Sequence, residues 1–171
     1  AEEHMRLIGI IPAKGHSERL PHKNTRNLAG WPLIQWTLVP AREACDEVLV
    51  SSDDNDILTL ALEAKCEPIE RSTLLCQPMT PDLPVIVHAY SQVMGYQADD
   101  IVVILRPTSP FRRAEEIRMV AELVKPMFCD SVRSVVRARE HPAKSYRETG
   151  WSQLPLNVAR YPILEPWSRD H

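Results

Sequence analysis

The apolar run at residues 7–11, Leu-Ile-Gly-Ile-Ile, carries no polar side chain on either face and stops at Pro12. A strand of that composition has to be covered on both sides, as in the interior of a sheet flanked by helices. β-rich runs at 47–51, 101–105 and 131–136 predict further strands, with 101–105 again buried. Helical patterns lie between them. Pro32 suits the first position of a helix bearing Leu33, Trp36, Thr37 and Ala41, and Pro40 should kink or end it. Asp53 or Asp54 suits the cap of a helix through Ile57, Leu60, Ala61 and Ala64, with Asp53 read as a cap rather than a ligand. Residues 85–94 and 114–125 read as two more helices, and 68–84 as a Pro-rich loop. Strands alternating with helices indicate an α/β fold on a parallel-rich sheet covered on both faces.

The chain of 171 residues is long enough for one domain, placed at 5–171. Residues 1–4 ahead of Met5 read as an expression remnant. Net charge is −3 and the cations are scattered, so no field suited to a nucleic-acid backbone is expected, and nothing in the composition suggests a membrane partner. Any phosphate site must therefore be local. Cys45, Cys66, Cys76 and Cys129 form no C-x-x-C pair and no signal peptide precedes Met5. Neither a zinc site nor a secreted disulfide framework is suggested, and a reducing cytoplasm is the expectation.

The loop after the first strand carries the chemistry. In open α/β sheets, ligands bind beyond the carboxyl ends of the strands. There the chain places Lys14, Gly15, His16, Ser17, Arg19, His22, Lys23 and Asn24. Lys14, Arg19 and Lys23 could supply cations to a triphosphate, and Ser17 and Asn24 neutral hydrogen bonds. A solvated surface loop is the alternative reading of the same composition.

The string I-I-P-A-K-G-H-S-E-R-L-P-H-K-N at 10–24 resembles the I-P-A-R-x-G-S-K-R-[LI]-P-x-K-N signature of acylneuraminate cytidylyltransferases. It lacks the glycine spacing of a Walker A loop or a dinucleotide-binding fingerprint. The resemblance implies that Ala13, Lys14, Gly15, Ser17, Arg19, Lys23 and Asn24 bind the nucleotide, and that Lys14 and Lys23 serve catalysis. Leu28-Ala29-Gly30 with Pro32-Leu33-Ile34, and Val50-Ser51-Ser52-Asp53, resemble further family segments, and Arg71 falls near the expected cytosine. Thr80-Pro81 with His88-Ala89 resembles D-T-P-S…H-A, but Met79 and Asp82 replace its Asp and Ser.

L-R-P-T-S-P-F-R at 105–112 resembles L-[QR]-P-T-S-P-[LF]-R, with Arg106 where many sialate enzymes carry Gln. Arg106 and, in the H-P-x-K-like segment at 141–144, Lys144 are the expected sugar-binding residues; His141 is a weaker candidate, and Ser109 reads better as a helix cap. Tyr146-Arg147-Glu148-Thr149-Gly150 resembles a family segment that ordinarily lies well after H-P-x-K, so an internal stretch near 144–146 is expected to be lacking, as is the C-terminal end. That end would carry a D-x-D pair for Mg²⁺, and no residue here is assigned to the metal.

The resemblance thus implies a three-layer α/β/α nucleotide-diphospho-sugar transferase (GT-A-like) fold and a homodimer. It implies that CTP and a nonulosonic acid react to give a CMP-sugar and pyrophosphate, with Mg²⁺. The alternatives are a nucleotidyltransferase for a different sugar and a nucleotide-binding regulatory domain without turnover.

Overall fold

A computed structural model describes residues 5–17, 20–77, 79–124, 129–135, 146–149 and 152–155. Two compact units divide the chain, residues 1–132 and 133–171.

In the first unit, β1 (Leu7–Pro12) is followed by the long loop and a small hairpin, β2 (Asn27–Leu28) with β3 (Trp31–Pro32). Helix α1 (Gln35–Ala44), β4 (Glu47–Ser52), α2 (Asn55–Glu63) and β5 (Glu67–Glu70) come next. Then follow α3 (Asp82–Tyr90), β6 (Ile101–Ile104) and α4 (Ala114–Leu123). The sheet runs β5-β4-β1-β6, all parallel. The chain steps outward on one side of β1 and then returns to the other, so the topological switch lies between β1 and β6. In the second unit, β7 (Tyr146–Thr149) pairs antiparallel with β8 (Ser152–Pro155).

Alternate side chains of β1 supply two cores. Leu7 and Ile11 face Leu38 and Ala41 of α1, Ile57 and Ala61 of α2, and Ile117 and Ala121 of α4. Ile8 and Ile10 face the other way, with Leu49, Ile69 and, from the α3 side, Ala89 and Val93. Helices therefore cover both faces, and the α/β/α layering expected from the sequence is observed. Gly9 is the gap in the first face: a Cβ there would stand 3.0 Å from Cys45 Sγ.

Several local expectations are corrected. Pro32 lies in β3 and pairs with Asn27, because Ala29 and Gly30, both at positive φ, turn the chain into a hairpin before the helix can start. Pro40 lies inside α1 and does not end it: burial of Thr37, Leu38 and Ala41 holds the helix together across the missing N–H. The stretch 68–84 is not all loop. Pro68 sits in β5 on the sheet's end strand, where a missing donor is tolerated. The expected helix at 85–94 is α3, beginning at Asp82, since Pro84 falls in a first turn that needs no N–H partner. Among the described residues β6 ends the sheet and pairs only with β1, rather than lying inside it as expected. Val102 and Ile104 are exposed because α3 packs over β1 and β4 instead. Residues 131–135 form no strand. Ser109 caps no helix: its N–H turns back to the Arg106 carbonyl, and α4 begins after Arg113, whose N–H bonds Glu116 Oε2.

The four cysteines are free, and burial pushes the Cys45 and Cys66 thiols up to about 11. Among the described residues no helix is long and apolar enough to cross a membrane.

Candidate functional site

Where the chain leaves the carboxyl ends of β1, β5 and β6, it opens a cleft of about 490 Å³, a size typical of small-molecule sites. Main-chain hydrogen bonds set its walls. Ala13 N–H donates to the Ser51 carbonyl (2.9 Å), Arg71 N–H to the Ser52 carbonyl (2.8 Å) and Leu105 N–H to the Ile10 carbonyl (2.9 Å).

The loop after β1 brings Lys14, Ser17, Lys23 and Asn24 to this cleft; Arg71 and Arg106 enter from the ends of β5 and β6. These residues are distant in sequence and converge only through the sheet. Among the described residues neither Lys14 nor Lys23 forms an ion pair. Ala13 and Gly15 sit beneath the surface. Ala13 is fully buried, and the Gly15 N–H is bound by Asp53 Oδ1 at 2.8 Å. Asn24 is buried and clasps the loop, its Nδ2 donating to the Lys14 carbonyl at 2.8 Å. Arg19, Lys144 and His141 lie outside the described residues.

Arg71 is 7% exposed, with Nε donating to Ser51 Oγ (3.2 Å) and Nη2 to the Ser51 carbonyl (2.7 Å). Burial lowers its pKa, and the charge of Asp53 opposes that fall. A guanidinium kept charged in a wall this dry is well placed to meet an anion.

The site also contains residues that sequence reasoning did not assign. Asp82 is the only carboxylate on the cleft wall among the described residues, and it forms an ion pair with Arg106. Two departures from the family pattern, Asp for Ser and Arg for Gln, therefore face each other. That pairing was not readable from positions 24 residues apart. His16, Gln77, Thr80 and Thr108 also line the cleft. Asp53 is not a helix cap. Asp54 fills that role, its Oδ1 accepting from Asp56 N–H (2.9 Å) and Ile57 N–H (3.4 Å), which leaves Asp53 to face the loop.

Among the described residues no group of three or more His, Cys, Asp or Glu could hold a metal ion. The one cleft carboxylate among the described residues, Asp82, is already paired with Arg106 and does not make a Mg²⁺ site by itself, since such sites need free hard oxygens.

A parallel sheet with its cleft at the switch point is the architecture of the α/β nucleotidyltransferases. CMP:2-keto-3-deoxy-manno-octonic acid synthetase, solved with CTP, superposes with a TM-score of 0.59 at 21% identity, over 70% of this chain and 47% of that one. A nucleotidyl transferase from Methanothermobacter thermautotroptrophicus gives 0.57 at 16% identity, over 68% and 57%. The family model described as Cytidylyltransferase matches residues 8–146, and the chain belongs to that family. The CMP-N,N'-diacetyllegionaminic acid synthase of Legionella pneumophila is 38% identical over 129 residues, 71% of this chain and 54% of that protein. N-acylneuraminate cytidylyltransferase A of Danio rerio is 30% identical over 167 residues, 95% of this chain and 38% of its own length. The chain thus spans about half, or less, of these two curated relatives.

Proposed function

We propose that this protein activates a nonulosonic acid with CTP, giving the CMP-sugar and pyrophosphate. The observation that carries the reading is the convergence of Lys14, Lys23, Arg71 and Arg106 on one cleft at the switch point. A triphosphate needs such a concentration of positive charge, and the names of the legionaminic and neuraminic relatives supply the acceptor class. In the reaction, the anomeric hydroxyl of the acid attacks the α-phosphorus and the bond to pyrophosphate breaks.

The chain's contribution is alignment and charge stabilisation. Lys14 and Lys23 offset charge on the phosphates. Ser17 adds a neutral contact, Arg71 holds the nucleotide from the opposite wall, and Arg106 receives the acceptor's carboxylate once Asp82 releases it. Arg19 and Lys144 belong to the same reading as nucleotide and sugar contacts. Mg²⁺ is proposed as the companion of the triphosphate, where it would neutralise phosphate charge. A neighbour of the same fold, Rv0371c of Mycobacterium tuberculosis, is described in complex with manganese. No residue of this chain is assigned to the metal. A cytoplasmic homodimer completes the proposal.

Pyrophosphate release by the full-length protein, measured across the four nucleoside triphosphates with sialic-, legionaminic- and pseudaminic-type acids, tests the reading. CTP with one of these acids should turn over and stop on addition of EDTA. Preference for UTP or ATP, or undiminished turnover in EDTA, overturns it.

A further inference from the structure

The Lys14–Gly15 peptide group is held at both of its polar atoms. Its carbonyl accepts from Asn24 Nδ2 (2.8 Å) and its N–H donates to Asp53 Oδ1 (2.8 Å). A peptide plane fixed at both ends has little freedom to rotate, so the direction in which Lys14 leaves the main chain is set before any ligand arrives. Gly15 makes the approach possible. A Cβ there would lie 2.5 Å from Asp54 Cβ, closer than side chains tolerate. The turn that meets it is itself braced, Asp54 N–H donating to Ser52 Oγ at 3.0 Å.

We infer that Asp53 is a positioning residue of the nucleotide site: by accepting the Gly15 N–H it locks the peptide that aims Lys14 into the cleft. The inference deepens the proposed function and rests on it for the identity of the ligand. It divides two adjacent carboxylates by task, Asp54 closing α2 and Asp53 holding the loop. It also predicts which atoms do not meet phosphate, because the Gly15 N–H is already engaged. The charge of Asp53 also opposes the fall in Arg71 pKa, so the same carboxylate acts on a second residue of the cleft.

The test compares Asp53→Ala, which removes the acceptor, with Asp53→Asn, which keeps an oxygen in place without the charge. Ile57→Val, in the α2 core, controls for stability loss alone. Calorimetric titration with CTP is run on the full-length protein well below its unfolding temperature, with amide exchange of Gly15 measured in parallel. Asp53→Ala should weaken CTP binding about tenfold or more, the scale of a hydrogen bond to a charged group, while Asp53→Asn stays within about threefold of wild type. Ile57→Val should bind as wild type. Gly15 protection should fall in Asp53→Ala and persist in Asp53→Asn. Wild-type affinity in Asp53→Ala, or equal weakening in both variants, overturns the inference. Wild-type protein that binds no CTP sinks the proposed function instead, and the exchange comparison still decides whether Asp53 holds the loop.

Discussion

The two ends of the sheet handle charge in opposite ways. At the amino end, Arg6 grips Asp100 through Nε (3.1 Å) and Nη2 (2.9 Å). Tyr90 Oη and the Gln97 N–H also donate to Asp100 Oδ2, at 3.0 Å each. The Asp100 side chain is 1% exposed, and its neighbours, Arg6 foremost, lower its pKa to about 2. At the carboxyl end, Lys14 and Lys23 make no ion pair among the described residues, and Arg71 rests on neutral Ser51. Charge satisfied within the protein marks structure, and charge left without a counter-ion marks a place where one is to be supplied.

Reversing a charge at the open end should show this most strongly. Lys23→Glu should weaken CTP binding about a hundredfold, as loss of a charge-assisted contact plus repulsion requires, and leave thermal unfolding nearly unchanged. Calorimetry and a melting curve on the same sample check both halves. An unaltered affinity would erase the contrast between the two ends.

The closed end should respond in the reverse sense. Arg6→Ala strands the buried Asp100 carboxylate, so the denaturant midpoint should fall while CTP affinity holds. Because the folded pKa of about 2 lies below the ordinary 3.8, the Asp100 contribution is complete above about pH 4 and is lost as pH falls toward 2. Urea titrations between pH 5 and 2 should show that slope in wild type and a shallower one in Arg6→Ala.

The smallest effect is expected where the two styles meet, at the exposed Asp82–Arg106 pair. Asp82→Asn should change stability by no more than about 0.5 kcal/mol, since exposed ion pairs contribute little. It should nevertheless lower the KM for the acid by freeing Arg106. An unchanged KM would assign Arg106 elsewhere.

What could be read in advance follows the same division. Local composition exposed the open end: the cations at 14 and 23 sit beside a buried strand, and Arg71 and Arg106 matched family segments. It did not expose contacts built by tertiary folding. Nothing in the string Ser-Ser-Asp-Asp tells which aspartate caps α2 and which reaches Gly15. Nor does the local sequence mark Asp100, because its partners, Arg6 and Tyr90, come from other elements. Ile101 to Ile104 gave no alternation, so its half-exposed state was hidden by a sequence apolar on both faces. β5 was lost because Pro68 outweighed three other residues in a strand of four.

The main-chain bonds that fix the cleft walls have a consequence for descent. The N–H groups of Ala13, Arg71 and Leu105 and the carbonyls they meet are present whatever side chains the residues carry. Ordinary substitution, proline aside, cannot delete those bonds, so the spacing between walls is inherited with the sheet. The wall residues are then free to drift, and a compensated exchange such as Asp82 with Arg106 can alter what the cleft accepts without changing its width. Such a cleft can acquire a new acceptor one side chain at a time, each intermediate still folded.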